Sequence, residues 1–187
     1  MQTSFESVQH LLSEKERILG RLALLASGAD RARLQARASD GGWSAEETLE
    51  HLSIVESGML RLIESLLRKS ESSPGPDGSQ TSLSLELLRR SVNSEKFKTL
   101  ERYEPTGKLD SQESLQALKR LQDHLLSLRQ RLESADLSRA SFAHWIFGPL
   151  TLGQWLAFLV VHEERHAGQI TSLLKLPPGS AISKGAP

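Results

Sequence analysis

The stretch "GPLTLGQWLAFLVVHEERHAGQI", Gly148 to Ile170, decides the fold. Gly148-Pro149 interrupts the chain, and Thr151 with Gln154 has the spacing of a capping box, so a helix opens there. "WLAFLVV" (Trp155 to Val161) is far too short to cross a bilayer, but it makes this helix apolar enough to lie at the centre of a packed domain. The helix ends before Pro177-Pro178, since proline cannot continue it. It also carries "HEERH", His162 to His166. Four residues turn a helix by about 400°, so the two imidazoles lie about 40° apart around the axis and about 6 Å apart along it. Both can reach one metal ion, and two histidines facing a bundle interior need a partner or a metal to offset their burial.

H-E-x-x-H is also the helical signature of zinc proteases, in which the glutamate acts as general base. Such enzymes usually take their third ligand from a position after the motif. Beyond His166 this chain has no Asp, Glu or His, and no convincing strand offers an edge to a peptide substrate. The third ligand must come from upstream, where His10, His51, His124 and His144 are available. His51 is the best of them, flanked by apolar Leu49, Leu52 and Val55 on one helix. His10 and His124 have polar neighbours and read as surface residues. His144 sits in the loop "FAHWIFGPLT", where the pattern favours an ordinary loop residue over one lining a pocket mouth.

Working outward, three further amphipathic helices appear. The first runs from about Phe5 to Ala29, with Thr3 and Glu6 as its capping box. The second opens at "GGWSAEETLEHL", capped by Ser44 and Glu47, and carries an apolar stripe to about Lys69. The third is capped by Asp110 and Glu113 and continues to about Ser134. Between the second and third, "SESSPGPDGSQ" (Ser70 to Gln80) reads as a flexible linker. Thr81 to Leu100 holds one or two shorter helices, and "YEPTG" (Tyr103 to Gly107) is a turn. Four such stripes bury one another in an all-α four-helix bundle. The long connection from Ser70 to Leu109 can cross the bundle, so the second and third helices are free to run parallel. Residues 1–176 form one domain, and 177–187 a frayed tail.

The composition narrows the function. Lys+Arg and Asp+Glu both number 23, which speaks against a nucleic-acid binder or a partner of anionic membranes. The most basic stretch, "RARLQARAS" (Arg31 to Ser39), reads as solvated surface. With no cysteine there is no disulfide, no thiolate metal site and no cysteine nucleophile. No secretory leader is visible, and a cytoplasmic protein is expected.

"WSAEETLEHL" (Trp43 to Leu52), followed much later by Gly148 to Ile170, resembles the DinB/YfiT-like superfamily of four-helix-bundle proteins. The resemblance is nearest to the branch with G-x-L-T-x-x-x-W before H-x-x-x-H-x-x-Q-I. "EPTGKLDSQESLQALKRLQDHL" (Glu104 to Leu125) resembles the family's middle region, so the likeness covers nearly the whole chain in order. One departure is at His144-Trp145, where this branch often has His-Pro. The resemblance implies a bundle with one long crossover and a homodimer. It also implies a divalent transition metal, zinc or nickel, held by one histidine of the second helix and two of the last: here His51, His162 and His166.

Three neutral histidines leave coordination positions open, as in catalytic rather than structural zinc sites. Glu163 is a candidate general base, although a position about 100° from His162 favours a solvent-facing charge. Gln169 shares the face of His162 and His166 and is placed to bond a ligand histidine or the substrate. Trp43 and Trp155 read as core packing, and Glu47 as a cap. The resemblance implies two enzymatic functions on a small-molecule substrate: a metal-dependent hydrolase, or an S-transferase using an external low-molecular-weight thiol. The alternative is a non-catalytic metal-binding stress-response protein.

Overall fold

The computed structural model describes residues 4–37, 41–72 and 99–175. Its helices are α1 (Val8–Ser27), α2 (Arg31–Gln35), α3 (Ala45–Glu71), α4 (Ser111–Ser127), α5 (Arg129–Ser134) and α6 (Leu152–Lys175). A short 3-10 turn occupies Glu101–Tyr103, and a hairpin of β1 (Ser141–His144) and β2 (Gly148–Thr151) precedes α6.

Local chemistry sets most of these boundaries. At α3 the Ser44 hydroxyl accepts from the Glu47 N–H at 3.1 Å, and the Glu47 carboxylate accepts from the Ser44 N–H at 2.9 Å. Asp110 with Glu113 and Thr151 with Gln154 repeat this reciprocal pairing at α4 and α6. The first helix departs from expectation. Ser7 is its N-cap, accepting from the His10 N–H at 3.1 Å. The expected Thr3–Glu6 box therefore does not start this helix, and Thr3 lies outside the described residues. Ser70 and Glu71 belong to the last turn of α3 rather than to the linker. The helix expected to run to Ser134 is interrupted at Leu128, whose N–H bonds the Leu125 carbonyl at 3.1 Å. The rest of the linker, the short helices expected within Thr81 to Leu100 (Thr99 and Leu100 apart) and the tail 177–187 lie outside the described residues.

α1, α3, α4 and α6 pack as a four-helix bundle in the cyclic order α1, α6, α3, α4. Cross-helix bonds give their directions. Glu46 meets the Ser111 N–H, Glu64 meets His124, and Glu71 meets Arg131, so α3 and α4 run parallel. Gln122 reaches the Leu12 carbonyl and Arg129 reaches Gln9, so α1 and α4 are antiparallel. Lys15 pairs with Glu163 and Arg21 with Glu164, and beyond α1 Arg33 of α2 bonds the Leu174 carbonyl near the end of α6, so α1 runs parallel to α6. Two parallel helices joined in sequence need a chain that returns the length of the bundle, which the long connection between α3 and α4 supplies.

The core is mostly leucine, with Leu11, Leu22, Leu49, Leu52, Ile63, Leu118 and Leu156 fully shielded from solvent. Each bundle helix contributes one stripe at three- and four-residue spacing, so hydrophobic burial dominates the stability of the bundle.

The hairpin corrects the loop reading of "FAHWIFGPLT". Ser141 pairs with Thr151, Phe142 with Leu150, Ala143 with Pro149 and His144 with Gly148. Gly148 has φ +70°, the left-handed conformation that three-residue hairpin connections place at this position. Pro149 is tolerated because a two-stranded sheet is all edge. The Leu152 N–H bonds the Ala140 carbonyl, and the Trp155 indole N–H bonds the Phe142 carbonyl at 3.2 Å, fastening the hairpin to the start of α6.

Candidate metal centre

α3 and α6 bring three histidines together. His51 and His166 are buried, His162 is half-buried, and one ring nitrogen from each lies within 4.8 Å of the other two. The rings are 4.5 Å (His162–His166), 4.8 Å (His51–His166) and 5.4 Å (His51–His162) apart, centre to centre. The i,i+4 pair thus faces the one histidine of α3 that lies within its apolar stripe. His10 and His124 are not part of the group: His10 belongs to the first turn of α1, and His124 pairs with Glu64 at 2.8 Å on the exterior.

The partners of these rings assign their protons. His51 Nδ1 lies 2.7 Å from the Tyr103 carbonyl, which can only accept, so Nδ1 carries the hydrogen and Nε2 keeps a lone pair. His166 Nδ1 lies 2.7 Å from the Gln169 amide oxygen, with the same consequence. His166 Nε2 then lies 3.2 Å from His162 Nε2, while His162 Nδ1 is buried without a hydrogen-bond partner among the described residues. Two imidazoles held with Nδ1–H outward and Nε2 inward is the arrangement that orienting bonds impose on metal-ligating histidines.

Electrostatics favour the same state. Burial pushes all three pKa values below the ordinary imidazole range, against the opposing Tyr103 bond at His51. At His162 the neighbouring histidines add to burial, and His166 falls to about 3. The rings are neutral at pH 7, the form that binds metals. Their donor chemistry, tautomers and convergence fit one divalent transition metal ion.

Glu163 is not a solvent-facing charge. It is fully buried, and its Oε2 lies 3.0 Å from Lys15 Nζ of α1, which also lies 2.8 Å from Glu56 Oε2 of α3. The physical reason is angular: a residue one step beyond His162 points about 100° away, and with His162 turned toward α3 that direction meets α1. Burial drives the Glu163 carboxyl up to about 8, helped by Glu56 and opposed by Lys15. Burial also raises Glu56, again against Lys15. Lys15 rises to about 12 because the two carboxylates outweigh the cost of its burial. The sequence carried a signal for this triad. Lys15 falls on the apolar stripe of α1 and Glu56 on that of α3, and charges there require partners.

The remaining candidates surround the histidines. Gln169 meets His166 Nδ1 through its amide oxygen. His144 ends β1, its Nδ1 facing the Ile146 and Phe147 N–H groups at 3.1 and 3.4 Å, which leaves the ring proton on Nε2. Burial lowers its pKa to about 4. The His144 ring packs 4.8 Å from Phe158, which packs 5.7 Å from His162, so the hairpin abuts the centre through one aromatic ring. Trp155 is buried as expected. Trp43 does more than pack: its ring lies 4.7 Å from that of His51. A residue the sequence reading passed over, Glu50, is buried beside His51 and accepts hydrogen bonds from the 106–109 segment.

A family profile described as the DinB superfamily matches residues 15–170. Among solved structures, YfiT from Bacillus subtilis, titled a probable metal-dependent hydrolase with an unusual four-helix bundle topology, superposes with a TM-score of 0.64. The identity is 19%, over 93% of this chain and 89% of that one, a likeness of fold. A comparison with curated proteins finds no match.

Proposed function

The chain belongs to the DinB superfamily, and from that premise we propose that His51, His162 and His166 hold one divalent transition metal ion, zinc or nickel, in an enzyme acting on a small molecule. The observation that carries this reading is the pair of outward-facing Nδ1–H bonds, to Tyr103 and Gln169, that leave two Nε2 lone pairs converging with the ring of His162. A bound ion supplies Lewis-acid activation of a water or of an external low-molecular-weight thiol.

The protein's own groups divide the remaining work. Tyr103 and Gln169 hold two ligand rings in one tautomer. Trp43 and Phe158 flank His51 and His162 with apolar surface, which limits water around the centre. His144, neutral with its proton on Nε2, is a hydrogen-bond donor at the edge of the site for a substrate oxygen. Glu163 serves the bundle through Lys15, so the reaction is read without it as general base. The absence of cysteine means that a thiol reaction draws its sulfur from outside.

Hydrolysis and thiol transfer are both compatible with this centre, as is metal binding without catalysis. No helix among the described residues is long and apolar enough to cross a membrane. The reading includes a cytoplasmic homodimer, checked by sedimentation and cell fractionation.

Elemental analysis of the purified protein should find one transition metal per chain, lost in His51→Ala, His162→Ala and His166→Ala. Unchanged metal content in all three variants would refute the site. Metal-loaded protein is then offered bacillithiol, mycothiol or glutathione with an electrophile, and separately simple esters and amides. Metal-dependent conjugation identifies the transferase, and thiol-free hydrolysis the hydrolase. Inactivity on both with tight metal binding identifies the non-catalytic alternative.

A further inference from the structure

Two consecutive residues of α3 grip the same stretch of chain. His51 donates through Nδ1 to the Tyr103 carbonyl. Glu50, 1% exposed, receives the Thr106 N–H at 3.0 Å, the Thr106 hydroxyl at 2.7 Å, and the Gly107 and Lys108 N–H groups at 2.7 and 3.1 Å. The Leu109 N–H approaches it at 3.4 Å. Gly107 has φ +71°, and this left-handed residue turns successive N–H groups toward one point, forming a nest that the carboxylate fills. On the other side, the 3-10 turn ties the Tyr103 N–H to the Leu100 carbonyl at 2.8 Å and the Glu104 N–H to the Glu101 carbonyl at 3.0 Å. The Tyr103 carbonyl is therefore tethered from both directions, three residues from the nest.

We propose that Glu50 is a positioning residue of the metal centre: by clamping 106–109 it holds the Tyr103 carbonyl against His51 and so keeps the His51 Nε2 lone pair aimed at His162 and His166. The proposal rests on the reading of these histidines as metal ligands. Only a carboxylate suits the clamp, because both of its oxygens accept, whereas an amide in its place sets an NH2 against backbone N–H donors. With the clamp released, the 103–109 segment exchanges its buried acceptor for water, and His51 loses the partner that selects its tautomer.

The test compares wild type with Glu50→Gln, with Thr106→Val as a milder variant that removes one donor, and with Leu118→Ala as a control that destabilises the core elsewhere. Long-range proton–nitrogen NMR on metal-free protein reads the His51 tautomer, and Co(II) and Zn(II) titrations read affinity. The expected result is a single Nδ1–H tautomer in wild type and a mixture in Glu50→Gln. Metal affinity should fall about 10–100-fold, the range for lost orienting partners of ligand histidines. Thr106→Val should shift both readouts the same way by a few-fold, so the test stands even where Glu50→Gln fails to fold. Leu118→Ala should lower stability with tautomer and affinity unchanged. A folded Glu50→Gln with the wild-type tautomer and affinity overturns the proposal, as does an unaltered Thr106→Val beside an unfolded Glu50→Gln. If wild type binds no metal, the metal reading falls while the tautomer comparison still decides the clamp.

Discussion

Two buried glutamates adjoin the clustered histidines in sequence, Glu50 before His51 and Glu163 after His162, and they are stabilised in opposite ways. Glu50 sits among neutral donors from Thr106, Gly107, Lys108 and Leu109, and although burial opposes ionisation, those bonds hold its carboxyl below the ordinary range. Glu163 shares one ammonium with Glu56, keeps one oxygen without a hydrogen-bond partner among the described residues, and is pushed up instead. A carboxylate ringed by N–H donors stays charged in the interior, while two carboxylates on one lysine cannot both ionise cheaply. Glu50 lies at the rim where a loop supplies backbone donors. Glu163 lies inside the bundle, where helical N–H groups are already used.

The comparison is tested most severely at Lys15. Lys15→Met should cost about 3–5 kcal/mol in denaturant unfolding, because two buried carboxyls then lose the cation they share. Replacing all three members together, as Lys15→Met with Glu56→Leu and Glu163→Leu, should recover most of that loss, since well-packed apolar side chains commonly match or exceed buried ion triads. A triple variant as unstable as the single one would show that the triad is itself a net stabiliser.

The second test is the sign of the pH dependence in metal-stripped protein. Glu163 has a folded pKa of about 8 against an ordinary carboxyl value of 4.5. Between those values the folded state binds the extra proton, so its contribution makes stability fall as pH rises from 4.5 to about 8. Glu50 runs the other way: its pKa is depressed, so its contribution is present above 4.5 and lost as pH falls through its folded value. Glu163→Gln should flatten the upper slope and leave the acid limb. An unchanged upper slope would place the raised pKa elsewhere.

A smaller effect is expected at Gln169, which orients His166 by a single bond. Gln169→Leu should weaken metal binding about tenfold, the low end for loss of one such partner. It should leave denaturant stability near wild type, because Gln169 lies at the exposed side of α6. A large stability loss without an affinity change would make Gln169 a structural residue only.

The site was legible wherever a signal was local. His162 and His166 come from one helical spacing, and His51 stood out because it is a histidine on an apolar stripe. The caps at Ser44, Asp110 and Thr151 were legible for the same reason, each being a four-residue pattern. The start of α1 was misplaced because Thr3–Glu6 and Ser7 are competing caps within five positions, and pattern alone does not rank them. The hairpin was missed because its strands are four residues each, the second opens on Gly-Pro, which reads as a break, and both gain their stability from Trp155 and the start of α6. Glu50 escaped notice because its donors lie 56–59 residues away, and Glu163 because its partner is 148 residues away.

By itself, then, the amino-acid order determined the helices, their buried faces, the room for a long crossover and the three histidines, since each follows from periodicity, capping or length within one segment. Only the tertiary structure decided what the charges beside those histidines do. Whether a buried carboxylate meets a loop of N–H donors or a shared lysine depends on which elements pack against it. That choice sets its ionisation and, at Glu50, secures the segment whose Tyr103 carbonyl bonds the His51 ring.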